Sequence, residues 1–184
     1  KRDAWMFGSP EVQIQAVGGL FMAGQQPENL EKFRRAGFAV ARPGGWDPIV
    51  RQDDMVTDGV AAEVLYPSLG LGLFCVKDAA LQESLFRAYN DWIIDYCSKV
   101  PDRLFGIALI SMYDVDHAIA EMERCKKAGG IVGTMIWQVP DPRFPFTSDH
   151  YERFWAASQD LDLPVHLHIL RSEEHTSELQ SHDD

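Results

Sequence analysis

The chain has 184 residues, 46% of them hydrophobic, which is enough for one ordinary globular domain. Its formal net charge of −11 disfavours nucleic acid and anionic membranes as partners. No apolar run approaches the ~18 residues of a membrane span and no signal-peptide pattern opens the chain, which favours a cytoplasmic protein. The three cysteines are widely spaced and form no CxxC pair, so they are expected to be buried thiols in a reducing compartment.

The first half of the chain alternates helical and extended patterns between glycine-containing turns. In order, we predict an irregular loop or short hairpin, a helix, an extended piece, a tight turn, a helix, a strand and a loop: residues 1–24, 27–36, 38–40, 42–48, 48–58, 60–66 and 67–76. Asp47 is suited to cap the second helix, Pro48 to its first position and Gly59 to its end.

The second half alternates more regularly between amphipathic helices and apolar strands. We predict a helix, strand, helix, strand, proline-rich loop, helix and strand: residues 79–98, 104–110, 115–128, 131–137, 138–147, 150–161 and 163–169. Asp78 and Asp114 are suited to cap the first two of these helices. Continuous apolar strands separated by helices predict an α/β fold with a parallel sheet. Chemistry in such folds lies at the carboxyl ends of the strands, here at Tyr66, Trp137 and His168 among others.

The segment LPVHLHI, residues 163–169, contains two histidines on one predicted strand. Strand side chains alternate between faces, so His166 and His168 point the same way. Imidazoles are good ligands of zinc and other divalent metals, and this spacing lets both rings reach one ion. The alternative is that one or both are core histidines bonded to backbone or carboxylate groups. The segment alone does not favour either interpretation.

Residues 171–184, RSEEHTSELQSHDD, differ in composition from the rest of the chain. They are polar and acidic, with a single aliphatic residue, which is typical of a disordered tail. RSEEHTSELQS is also the translation of a common short-read sequencing adapter. We therefore interpret this segment as an artefact or a disordered tail, and residues 1–170 as part of a single domain.

Several extended motifs resemble one known family. RPGGWDP, DGVAAEVLYPSLGLGLF, FRAYNDWIIDYCSKVPDRLFGIALI and LPVHLHI are similar to segments of the amidohydrolase-related (amidohydrolase 2) family, which includes aminocarboxymuconate-semialdehyde decarboxylase. The resemblance implies a (β/α)8 TIM barrel, of which this chain would supply strands two to five. The first-strand ligand pair would then precede the chain, and strands six to eight would follow it.

The resemblance also implies a divalent metal ion, usually zinc, and assigns roles by position. His168 matches the family's fifth-strand metal ligand, whereas His166 has no family role and could pack in the barrel or support the metal ligand from behind. Tyr66, Trp137 and Arg42 could shape a pocket for an aromatic or carboxylated substrate. Plain packing is the alternative for Tyr66 and Trp137, and a surface salt bridge is the alternative for Arg42.

The intact parent is therefore expected to be a metal-dependent hydrolase or decarboxylase that acts on a small molecule. A metal-activated water would serve either reaction, and the sequence does not decide between them. A non-catalytic binding or scaffold protein on the same fold is the alternative. The chain by itself is expected to be inactive, and its open sheet edges would favour association into a homo-oligomer.

Overall fold

A computed structural model describes residues 4–6, 13–16 and 26–168. The chain divides into two compact units, Lys1–Ala62 and Glu63–Asp184. The tail at residues 171–184 lies outside the described residues, as does most of the predicted loop or hairpin at residues 1–24.

The first unit contains a strand pair and two short helices. Its elements are β1 (Ala4–Met6), β2 (Gln13–Ala16), α1 (Leu30–Ala36) and α2 (Pro48–Asp58). β1 and β2 pair antiparallel, in agreement with the hairpin alternative. The extended piece predicted at residues 38–40 is wrong, because Gly37–Val40 forms a 3-10 helix directly after α1. Tightening of the last helical turn is a common way for a helix to end.

The ends of α2 show why this helix was predictable. The Asp47 carboxylate accepts hydrogen bonds from the backbone amides of Ile49 and Val50, at 2.9 and 3.2 Å. These bonds satisfy amides that have no partner within the helix. Gly59 follows the helix with φ +70°, a left-handed conformation that favours glycine.

The second unit is built on a four-stranded parallel sheet. Its strands lie in the order β3 (Glu63–Leu65), β4 (Leu104–Leu109), β5 (Ile131–Trp137) and β6 (Val165–His168). The connections contain α3 (Ala79–Ser98), α4 (Val115–Ala128) and α5 (Glu152–Asp160). The parallel order of the four strands confirms the α/β arrangement predicted from the alternating pattern.

Two elements near the start of this sheet differ from the prediction. β3 is three residues long where a strand over residues 60–66 was expected, and it pairs with β4 only as far as Gly106. The loop predicted after it contains a 3-10 helix, Leu69–Cys75.

The two faces of the sheet have different neighbours. A Cβ on Gly106 would lie 2.7 Å from Cγ1 of Ile93, so Gly106 faces α3. The pairing of β4 with β5 shifts register between Gly106 and Ile107. A Cβ on Gly133 would lie 3.0 Å from Cδ1 of Ile107, which places both residues on the opposite face. We call this face, turned away from α3, the inner face of the sheet.

None of the described helices is long and apolar enough to cross a membrane. All three cysteines are thiols. Cys97 and Cys125 are buried as expected, whereas Cys75 is exposed because it lies at the end of the 3-10 helix.

Candidate functional site

The two histidines of β6 lie on the inner face of the sheet. The register pairs His166 with Met135 and His168 with Trp137. Residues that are paired across neighbouring strands point to the same face. Gly133, Met135 and Trp137 are two positions apart along β5, so they share one face. His168 is the last residue of β6 and is therefore nearer the carboxyl edge of the sheet. The sequence prediction that both imidazoles share one face agrees with this register.

Tyr66 contacts His166 across the inner face. The Tyr66 hydroxyl lies 2.8 Å from Nδ1 of His166, and the two rings meet edge-to-face with centroids 5.4 Å apart. Tyr66 directly follows β3, at one side of the sheet, whereas His166 lies on β6 at the other side. Three strand spacings in a flat sheet amount to about 14 Å, so the contact requires a sheet that curves around its inner face.

The imidazole of His166 occupies space that a side chain at position 133 would fill. A Cβ on Gly133 would lie 2.7 Å from Nε2 and 3.1 Å from Cδ2 of His166. Such a distance is well inside van der Waals contact, so the ring rests directly on the Gly133 backbone. Glycine in a strand interior often marks a close approach of another group, and the approaching group here is His166.

These contacts define the surroundings of His166. Nδ1 of His166 is bonded to Tyr66, and Nε2 lies beside the backbone of Gly133. An ion held by both rings stays a prediction. His168 is half-buried at the sheet edge, and its imidazole is the type of donor that divalent transition metals accept. A role for His168 as a metal ligand stays a prediction.

The described part of the chain does not complete a metal site. No group of three or more His, Cys, Asp or Glu side chains lies close enough to hold one ion within residues 26–168 or the two short N-terminal strands. A catalytic zinc site typically uses three protein ligands. Further ligands would have to come from residues other than those described.

Trp137 forms part of an aromatic cluster beside His168. Its ring lies 5.7 Å from that of Phe74, which in turn packs edge-to-face on Phe86 at 4.8 Å. Phe74 belongs to the 3-10 helix after β3, so this segment approaches the carboxyl edge of β5. The packing that was the alternative for Trp137 is therefore present, and its role in a substrate pocket stays a prediction.

Arg42 lies in the first unit and forms an ion pair with Asp54. The hydrogen bond and charge of Asp54 raise the pKa of Arg42, whose side chain is exposed. This is the surface salt bridge that was weighed as the alternative. A role for Arg42 in a substrate pocket stays a prediction.

A separate cavity of about 420 Å³ lies between α3 and α4. Its charged lining residues are already paired: Nδ1 of His117 lies 3.2 Å from the Glu83 carboxylate, and Arg87 lies 3.5 Å from Glu121. The hydrogen bond and charge of Glu83 raise the pKa of His117. Neither of the β6 histidines lines this cavity, so we do not place the candidate metal site there.

The Tyr66–His166 contact is not evident from the sequence. The two residues are 100 positions apart, and each was considered for a different role. The one local signal was Gly133 inside an otherwise apolar strand, which indicates that another group approaches the backbone there.

Comparisons with known proteins identify the family. A family model described as Amidohydrolase matches residues 30–183, most of the chain. The chain belongs to the amidohydrolase family. This confirms the resemblance found in the sequence motifs.

The curated relatives that this chain matches include several decarboxylases. The gamma-resorcylate decarboxylase of Rhizobium sp. (strain MTP-10005) is 34% identical over 98 residues, which are 50% of this chain and 30% of that protein. A crystal structure of 2,6-dihydroxybenzoate decarboxylase complexed with 2,6-dihydroxybenzoate matches with 26% identity and a TM-score of 0.60. The match covers 72% of this chain and 43% of that one.

A third match supports the fold. Dihydroxybenzoic acid decarboxylase from Polaromonas sp. JS666, solved with bound manganese and the inhibitor 2-nitroresorcinol, has a TM-score of 0.64 at 24% identity. The match covers 88% of this chain but 48% of that one. The chain thus spans less than half the length of these relatives. The four parallel strands with their helices correspond to part of a TIM barrel, as the sequence predicted.

Proposed function

We propose that this chain is part of a metal-dependent decarboxylase that acts on a hydroxylated aromatic carboxylic acid. The observation that carries the proposal is the match to gamma-resorcylate decarboxylase, at 34% identity over half of this chain. The match to a 2,6-dihydroxybenzoate decarboxylase complexed with 2,6-dihydroxybenzoate supports the same substrate class. Of the two reactions left open by the sequence, these relatives favour decarboxylation over hydrolysis.

The geometry of the inner face is compatible with this chemistry. His168 would hold a divalent metal ion from the carboxyl edge of β6, the edge at which parallel α/β folds bind ligands. When bound, the ion supplies a Lewis acid for carboxylate and hydroxyl oxygens. Manganese is a better-supported choice than the zinc first expected, because a structural relative was solved with bound manganese.

Trp137 and Tyr66 would shape the substrate pocket around His168. Trp137 is paired with His168 in the strand register and presents an aromatic ring on the same face. Flat rings in offset or edge-to-face contact attract one another, which suits an aromatic acid. In the reaction, the bond between the ring carbon and the carboxylate breaks, carbon dioxide leaves, and a proton takes its place on the ring.

The chain on its own should not catalyse this reaction. A single imidazole does not hold a catalytic metal ion, and His168 is the one ligand that we assign within the described residues. We also propose that the isolated chain associates with itself, because exposed inner-face residues such as Val64 favour association.

The test is a product assay on the full-length protein loaded with manganese. With 2,6-dihydroxybenzoate as the substrate, we expect release of carbon dioxide by the wild type and its loss in His168→Ala. His117→Ala is the matched control, because His117 is an exposed histidine of α4 paired with Glu83. Hydrolysis of 2,6-dihydroxybenzamide without any carbon dioxide from the acid would favour the hydrolase instead. No reaction with either compound would favour the binding or scaffold alternative.

A further inference from the structure

Tyr66 and His166 connect the two outer strands of the sheet directly beneath His168. The bond of 2.8 Å joins the residue after β3 to the middle of β6, although β4 and β5 lie between these strands. Each of the two strands pairs with a single neighbour in the described sheet. The side-chain bond therefore adds a constraint that the backbone ladder does not provide.

The same constraint fixes the position of the His166 ring. Tyr66 holds Nδ1 from one side, and the Gly133 backbone lies against Nε2 from below. His168 is two residues further along the same strand and on the same face, so the strand segment that carries His166 also carries the His168 imidazole. Residues that orient a metal ligand without touching the ion typically alter metal affinity by about 10–100-fold.

We infer that Tyr66 is a positioning residue for the metal centre, acting through His166 on the strand end that presents His168. The inference rests on the proposed function in that it takes His168 as the ligand. It assigns Tyr66 a task in addition to shaping the substrate pocket. It also gives His166 a supporting task rather than a place among the ligands.

The experiment is a measurement of manganese affinity, which does not depend on activity. Full-length wild type and variants are titrated with Mn²⁺ in competition with a fluorescent chelator at neutral pH, and their thermal unfolding midpoints are recorded alongside. Tyr66→Phe removes only the hydroxyl and should weaken Mn²⁺ binding about tenfold while the unfolding midpoint changes little. Tyr113→Phe is the matched control, because the Tyr113 hydroxyl bonds to the Val76 carbonyl at 3.1 Å instead of to a histidine.

The route through His166 is tested by combining substitutions. In a His166→Leu background, Tyr66→Phe should have no further effect on the affinity, because the bond is already lost. His166→Gln keeps an oxygen that can accept from Tyr66 and should bind Mn²⁺ better than His166→Leu. Unchanged Mn²⁺ affinity in Tyr66→Phe, or equal losses in Tyr66→Phe and Tyr113→Phe, would overturn the inference. A wild type that binds Mn²⁺ but releases no carbon dioxide would contradict the proposed function alone.

Discussion

The side-chain amide of Asn90 pairs with both backbone groups of Leu109. Nδ2 of Asn90 donates to the Leu109 carbonyl at 3.0 Å, and Oδ1 accepts from the Leu109 amide at 2.8 Å. The backbone amide of the next residue, Ile110, donates to the Met135 carbonyl of β5. The backbone amide and carbonyl of Leu109 therefore point away from β5. Among the described residues, no strand pairs with that side of β4 at this level, because β3 ends its pairing at Gly106. A residue of α3 therefore completes the edge of β4 where β3 stops.

This relationship predicts a large effect of Asn90 on stability. Asn90→Ala would leave a buried amide and a buried carbonyl of Leu109 without partners, each at a cost of about 1–3 kcal/mol. We expect the free energy of unfolding, measured by denaturant titration of the full-length protein, to fall by about 2–4 kcal/mol. Ser98→Ala is the control on the same helix, because its hydroxyl bonds to the Asp95 carbonyl at an exposed position. Equal effects of the two substitutions would show that the Asn90 bonds do not stabilise the sheet.

Gly133 gives a second prediction, concerning the space under His166. Gly133→Ala would place a methyl group 2.7 Å from Nε2 of His166, and we expect a loss of about 1–3 kcal/mol in unfolding free energy from this overlap. Gly45→Ala is the control, since a Cβ at Gly45 would meet nothing within 4 Å. Removing the ring should relieve the overlap, so Gly133→Ala should cost less in a His166→Ala background. The same cost in both backgrounds would contradict the close contact seen between the two residues.

Glu121 gives a prediction about stability in acid. Burial raises the pKa of Glu121, but hydrogen bonds from Arg124 and Asn90 outweigh it and hold the pKa below the ordinary 4.5. The Arg124 guanidinium donates at 2.6 and 2.8 Å, and Nδ2 of Asn90 donates at 2.8 Å. A carboxylate with a lowered pKa in the folded protein stabilises it above pH 4.5, and this stabilisation is lost as the pH falls through the lowered value.

The measurement is the free energy of unfolding as a function of pH, from neutrality to below pH 4.5. The wild type should lose more stability over this range than Glu121→Gln, which cannot take up the proton. Glu31→Gln serves as the control, because Glu31 pairs with Arg35 on the exposed surface of α1, where ion pairs contribute little. Parallel curves for wild type and Glu121→Gln would rule out the contribution of Glu121.

The elements with clear capping residues were predicted from the sequence to the residue. α3 and α4 begin where Asp78 and Asp114 accept hydrogen bonds from the first-turn amides, and β5 has the bounds expected from its apolar run. Local chemistry decides these boundaries, so a single sequence contains the necessary information. The start of β3 was predicted too early because the Val60 amide donates to the Met55 carbonyl at the end of α2, at 2.8 Å, and pairing with β4 begins only at Glu63.

The candidate site was predictable in part for the same reason. The alternation of β6 placed both histidines on one face, and the resemblance to the family selected His168 as the ligand candidate. The contact between His166 and Tyr66 depends on how the sheet curves, and no spacing within either segment indicates it. Gly133 has a role only once the His166 ring is seen resting on it.

The metal content of the purified full-length protein tests most directly whether His168 holds the metal ion of a decarboxylase. Elemental analysis of wild type, His168→Ala and His166→Ala, prepared in parallel with manganese in the medium, compares the two histidines of β6. We predict that His168→Ala loses most of its bound metal and that His166→Ala retains more of it, because His166 acts as a support rather than as a ligand. Equal metal content in wild type and His168→Ala would contradict the assignment of His168.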